Sequence, residues 1–136
     1  MAKVLGIGGV FFKARDSKAL ADWYQRWLGM PVEPEWGGAT LRPENMPAAG
    51  FTVWSPFSED TRYFEPSDRP YMINLVVDNL DEALQQVAEG GAEVTPDIQQ
   101  EAYGRFGWFI DPQGTKIELW EPAPVAAGSE PAGDNS

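Results

Sequence analysis

The period of apolar and polar positions changes along the chain, and each change marks an element. From Val4 to Ala14 the pattern is strand-like, with Ile7, Gly9 and Phe11 on one face and Val10 and Phe12 on the other. Asp16 or Ser17 then caps a predicted helix in which Leu20, Trp23, Tyr24, Trp27 and Leu28 recur at helical spacing, and Gly29 ends it with Pro31 just beyond. An amphipathic helix buries such a stripe by default, so these aromatics read as core. Pro31 to Glu35, Ala39 to Arg42 and Phe51 to Ser55 are short strand candidates punctuated by Gly and Pro. Between Pro56 and Pro70 lies a polar loop holding Tyr63, Phe64 and Arg69, either a lid or a linker.

The second half repeats this order. Tyr71 to Asp78 reads as a strand, Asn79 caps a helix with Glu82 as its capping-box partner, and Ala83, Leu84, Val87 and Ala88 form the apolar side. Gly90-Gly91 closes that helix. The helix exits match: Gly29-Met30-Pro31-Val32-Glu33-Pro34 in the first half, Gly91-Ala92-Glu93-Val94-Thr95-Pro96 in the second. Each half therefore predicts strand, helix, then three strands, with residues 1–62 and 63–121 as the two units of one compact domain. The remainder, 122–136, is Pro-, Ala-, Gly- and Ser-rich without a period and is expected to be disordered.

The chain's most informative stretch is Asp111-Pro112-Gln113-Gly114 leading into Lys116 to Trp120. Asp-Pro followed by Gly is hairpin-turn chemistry. In the strand that follows, Ile117 and Leu119 face one way, Glu118 and Trp120 the other. Folding back on Arg105 to Ile110 with Trp108 opposite Glu118 would put Phe106, Trp108, Glu118 and Trp120 on one surface. An aromatic wall with one acid in it is either a ligand pocket or a core with one awkward member, and unpaired buried carboxylates are rare. Asn74, in the middle of Met72-Ile73-Asn74-Leu75-Val76-Val77, needs a partner if buried, so it is either bonded structurally or aimed at a ligand. Arg105 among glycines is an anion clamp or an idle hairpin arginine.

Composition narrows the partners. Ten basic against 21 acidic residues give a formal charge of −11, which opposes binding to nucleic acid or anionic membrane. The absence of cysteine excludes disulfides, thiolate metal sites and cysteine nucleophiles. The absence of histidine removes the commonest general base and transition-metal ligand, leaving only oxygen donors for any metal. The apolar run Val4 to Phe12 is short, interrupted by glycines and followed by no small-residue cleavage site, so it reads as a strand and not a signal peptide. A cytoplasmic protein is expected.

Taken together, Ala14-Arg15-Asp16 with Trp23-Tyr24 and Leu28-Gly29, the second junction Val77-Asp78-Asn79-Leu80-Asp81-Glu82-Ala83, and Asp111-Pro112-x-Gly114 leading to Ile117-Glu118-Leu119 resemble the vicinal oxygen chelate superfamily. That group contains glyoxalase I, bleomycin-resistance proteins and extradiol dioxygenases. The resemblance spans residues 4 to 121 and implies an α+β fold of two βαβββ modules whose sheets curl around a shared cavity, helices outside. It also implies a divalent metal held by four side chains, two per module. Counting back from the junction residues Asp16 and Asn79 places Gly9 and Met72 at the first-strand ligand positions, where neither serves a hard cation. The last strand of the first module falls near Thr52, Val53 and Trp54, without a carboxylate. Only Glu118 keeps its family position, and one carboxylate does not hold a metal against water.

With the first strands facing inward, Phe11, Trp54, Met72, Asn74, Arg105, Phe106, Trp108 and Trp120 are the candidate ligand-binding residues around Glu118, with core filling the plain alternative for Phe11 and Met72. An apolar, aromatic pocket with an amide and an acid binds flat or cationic organic molecules by stacking. The leading expectation is a metal-free small-molecule-binding protein of bleomycin-resistance type, with no cofactor. The alternatives are a glyoxalase-like lyase or isomerase using Glu118 as base or as sole retained metal ligand, and a non-catalytic interaction module. Extradiol chemistry fits worst, because iron there wants histidines. Family habit implies a homodimer.

Overall fold

The computed structural model describes residues 1–124, which form an α+β fold of two helices on a mixed sheet. The first helix, α1 (Ser17–Leu28), starts where Asp16 accepts a hydrogen bond from the Ala19 amide and ends at Gly29. Its stripe turns inward as the spacing predicts, with Leu20 and Tyr24 buried and the Trp23 indole donating to the Gly90 carbonyl at 2.9 Å. After it come β1 (Ile73–Val76), α2 (Leu80–Glu89), β2 (Glu93–Val94), β3 (Gln99–Glu101), β4 (Gly104–Ile110) and β5 (Lys116–Pro122). The Asn79 cap closes on Glu82 in both directions, side chain to side chain at 2.8 Å and side chain to amide at 3.0 Å. A further free amide at the start of α2, that of Leu80, donates to Glu121 at 2.7 Å.

The sheet runs β1-β5-β4-β2, with β3 also on β4. β1 and β5 are parallel, and the other pairs are antiparallel. Its two faces differ. Phe109, Ile117 and Leu119 are fully buried on the helix side against Leu20, Tyr24, Leu80, Ala83 and Val87. Burying one such side chain contributes about 1.5–3 kcal/mol, so this face holds helices and sheet together. Gly107 makes the approach close: a Cβ there would meet Leu84 Cδ1 at 2.9 Å, which explains a glycine in the middle of an otherwise aromatic strand. Asp111 ties the β4–β5 turn to α1. Its Oδ1 accepts from the amides of Gln113 and Thr115, and its Oδ2 from the Tyr24 hydroxyl at 2.8 Å.

The first half departs from expectation. Val4 to Ala14 forms no strand, and Val4, Leu5, Val10 and Phe11 are exposed. Pro31 to Glu35 and Ala39 to Arg42 reduce to a single antiparallel bridge, Val32 to Ala39, and Phe51 to Ser55 is irregular. The physical reason is that a strand exists only through its ladder. Period-2 patterning sets which side chains share a face, and it does not supply the neighbouring backbone. Of the predicted tail, Pro122 belongs to β5, the Ala123 amide donates to the Tyr103 carbonyl at 3.1 Å, and 125–136 lie outside the described residues. Among the described residues no helix is long and apolar enough to cross a membrane.

Candidate functional site

Register builds the site. Trp108 stands opposite Glu118 across the antiparallel β4–β5 pair, as the sequence predicts, and Asn74 stands opposite Glu118 across the parallel β1–β5 pair. Three strands thus set an amide, a carboxylate and an indole in one row on the face away from the helices. Glu118 Oε1 accepts from Asn74 Nδ2 at 2.7 Å, and Oε2 accepts from Trp108 Nε1 at 2.9 Å. In the adjacent row Phe106 lies parallel to Trp120, ring centroids 5.9 Å apart, and Phe51 packs on Trp120 at 4.7 Å. The Trp120 indole N–H is spent on the Tyr103 carbonyl at 3.0 Å, and the ring itself is buried against Phe106 and Phe51.

A third donor reaches Glu118 from outside the sheet. The 56–70 loop crosses the aromatic face, and the Tyr63 hydroxyl donates to Glu118 Oε2 at 2.6 Å. Phe57 stacks on Tyr63 and lies beside Phe64, and the Tyr63 ring meets Trp108 edge-on at 6.4 Å. Burial, reinforced by the hydrogen bond to Glu118 and its charge, pushes the Tyr63 phenol above its usual range. Lys116, two residues before Glu118 on the same face, donates to the Tyr63 carbonyl at 2.7 Å and lies 5.0 Å from the Tyr63 ring centre and 5.7 Å from that of Trp108. Burial pulls its ammonium below the ordinary lysine value, an effect Glu118 partly offsets. Beside this group opens a cavity of about 330 Å³ lined by Tyr63, Trp108, Lys116, Thr95, Asp97 and Gln99 among others.

The structure therefore gathers Asn74, Phe106, Trp108, Glu118 and Trp120 on one face. Met72 is half-buried just before β1. Arg105 projects on the helix side, where it forms a two-pronged pair with Asp81 at 3.0 and 3.2 Å, because alternation along β4 sends odd and even residues to opposite faces. That placement takes its guanidinium away from Glu118 and explains why the Asp81 carboxyl lies below its usual range. Phe11 and Trp54 are 92% and 78% exposed, since the strands meant to aim them inward are not formed. Sequence reasoning missed Tyr63, Lys116 and Phe51 as members of the face. Lys116 was open to discovery from the same alternation that singled out Glu118, and three aromatics at 57, 63 and 64 in a polar loop were a sign that the loop docks.

The divalent metal implied by the resemblance does not fit these residues. Gly9 brings no donor, Met72 brings a thioether, and Glu118 directs both oxygens to neutral N–H and O–H groups. Among the described residues no group of three or more acidic side chains is placed to hold an ion.

Residues 9–120 match the model of the glyoxalase-like domain, and the chain belongs to that family, within the vicinal oxygen chelate superfamily. A glyoxalase/bleomycin resistance protein/dioxygenase domain from Frankia sp. EAN1pec is similar in fold, with 17% identity over 89% of this chain and 100% of that one and a TM-score of 0.53. An integron cassette protein from V. cholerae gives 17% identity, the same coverage and a TM-score of 0.51. A superfamily member from Sphaerobacter thermophilus is 32% identical over 36% of this chain, with a TM-score of 0.33, and the match spans 40% of that chain. No curated protein matches.

Proposed function

We propose that this chain binds a small planar organic molecule on the aromatic face without a metal, Glu118 accepting a hydrogen bond or ion pair from it and Trp108, Phe106 and Trp120 supplying flat apolar surface. The observation that carries this reading is the row Asn74–Glu118–Trp108, which fixes a carboxylate at the centre of an aromatic wall. Fixed polar groups within apolar walls are what orient a ligand in a pocket. Catalysis with Glu118 as base is supported less well, because both of its oxygens already accept hydrogen bonds.

A second copy of the chain completes the cavity in this reading. Val4, Leu5, Val10, Phe11, Val53 and Trp54 are exposed in the isolated chain, and a second copy that covers them removes that apolar area from water. Once paired, the first half forms its strands, and with them the first βαβββ module and the wall facing Glu118. Sedimentation equilibrium then reports a dimer. Isothermal titration against planar and cationic compounds tests the function: at least one binds tighter than about 1 mM, and Glu118→Gln weakens it by about tenfold, the worth of one charge-assisted hydrogen bond. No binding in that range across the panel overturns the reading.

A further inference from the structure

The 56–70 loop brings one side chain to the acid at the centre of the site. The Tyr63 ring lies edge-on to Trp108 and under Phe57, and its hydroxyl takes one position on Glu118 Oε2 at 2.6 Å. The loop's far end is tied to the β4–β5 turn, by Ser67 Oγ to the Gly114 carbonyl at 2.5 Å and Arg69 to the Gln113 carbonyl at 2.6 Å. Within 58–65 its other polar bonds stay inside the loop, Ser58 to Asp60 and Arg62 to Glu65, both exposed. The grip of this segment on the sheet is therefore concentrated at Tyr63: its hydroxyl on Glu118, its ring against Trp108, its carbonyl on Lys116.

We propose that Tyr63 is a tethered stand-in for the ligand, and that the site takes a planar aromatic molecule bearing a hydroxyl, which displaces the Tyr63 phenol from Glu118 and lifts the 57–65 segment. This rests on the reading of the face as a ligand site and adds the ligand's chemical class and a built-in competitor. The chemistry follows from what the face already accommodates. A six-membered ring fits between Phe57 and Trp108, an O–H satisfies Oε2, and Lys116 stands 5.0 Å from the ring centre. A competitor held on the same chain lowers apparent affinity by the fraction of molecules in which the site is open. Its removal restores that affinity.

The test uses 4-methylphenol, the free equivalent of the tyrosine side chain, with toluene as the control lacking a hydroxyl. Both are titrated into the full chain and its Tyr63→Phe and Tyr63→Ala variants while the Trp108 indole N–H is followed by NMR. Tyr63→Ala is expected to bind 4-methylphenol about tenfold to a hundredfold more tightly than the parent, the effect of vacating one hydrogen bond to a charged group. Tyr63→Phe falls between, toluene gains little, and Glu118→Gln in the Tyr63→Ala background abolishes the gain. Equal affinity in parent and folded Tyr63→Ala overturns the proposal, as does an equal gain for toluene, which is hole filling alone. A panel compound that binds through Glu118 with unchanged affinity in Tyr63→Ala overturns the stand-in and leaves the ligand-site reading intact.

Discussion

Tyr24→Phe removes a single oxygen and tests how the first half of the chain is locked to the turn that positions Glu118. The hydroxyl donates to Asp111 Oδ2 at 2.8 Å, and the two residues are 8% and 6% exposed. The ring contacts survive the change, including the edge-on packing against Trp23 at 5.0 Å. What is lost is a buried hydrogen bond to a charged acceptor, about 1.5–3 kcal/mol, and Asp111 Oδ2 is left without that donor. We expect a loss of about 2 kcal/mol in urea unfolding and a Tm lower by roughly 5–10 °C. Asp111→Ala costs more, because the Gln113 and Thr115 amides lose their acceptor as well, and the double variant is less destabilised than the sum of the singles. The pH dependence has a definite sign. Burial, then the charge of Asp111 and its hydrogen bond, raise the Tyr24 phenol above its ordinary value in the folded state. Its contribution is therefore fully present below about pH 10 and is lost as pH rises beyond that, a loss that Tyr24→Phe reduces. A stability change below about 0.5 kcal/mol in Tyr24→Phe, within the scatter of surface substitutions, refutes this account of the lock.

The remaining expectations concern the sheet and its helix side. Gly104→Ala places a Cβ at φ 140° against the Glu121 carbonyl and the Trp120 indole nitrogen, and should cost about 2–4 kcal/mol by denaturant titration; a neutral result contradicts the close approach at the end of β4. Arg105→Ala leaves the affinity of any ligand bound at Glu118 unchanged in isothermal titration, since the guanidinium serves Asp81 across the sheet; a marked loss would put that residue in the site.

What could be read from the sequence follows the range of the interaction that sets it. The second half was legible because its signals are local: Asn79 and Glu82 for the helix start, Asp111 to Gly114 for the turn, and alternation from Lys116 to Trp120 for the side of the sheet on which Glu118 stands. The Trp108–Glu118 register followed from that turn, since turn geometry fixes hairpin register. The first half carried equally clear alternation from Val4 to Phe12, yet its partner strand is not encoded within the segment, and the pattern alone did not place Phe11 or Trp54. The docking of Tyr63 on Glu118 spans 55 positions of sequence, and neither loop composition nor periodicity fixes such a contact.

The central claim is that Glu118 receives an organic ligand through hydrogen bonding, with no cation between them. Its most direct test is isothermal titration of the best-binding panel compound into the chain before and after exhaustive treatment with a chelator, and into Glu118→Gln. The account predicts the same affinity with and without chelator and a loss of about tenfold in the variant. Affinity that vanishes with the chelator and returns on adding a divalent ion would contradict it.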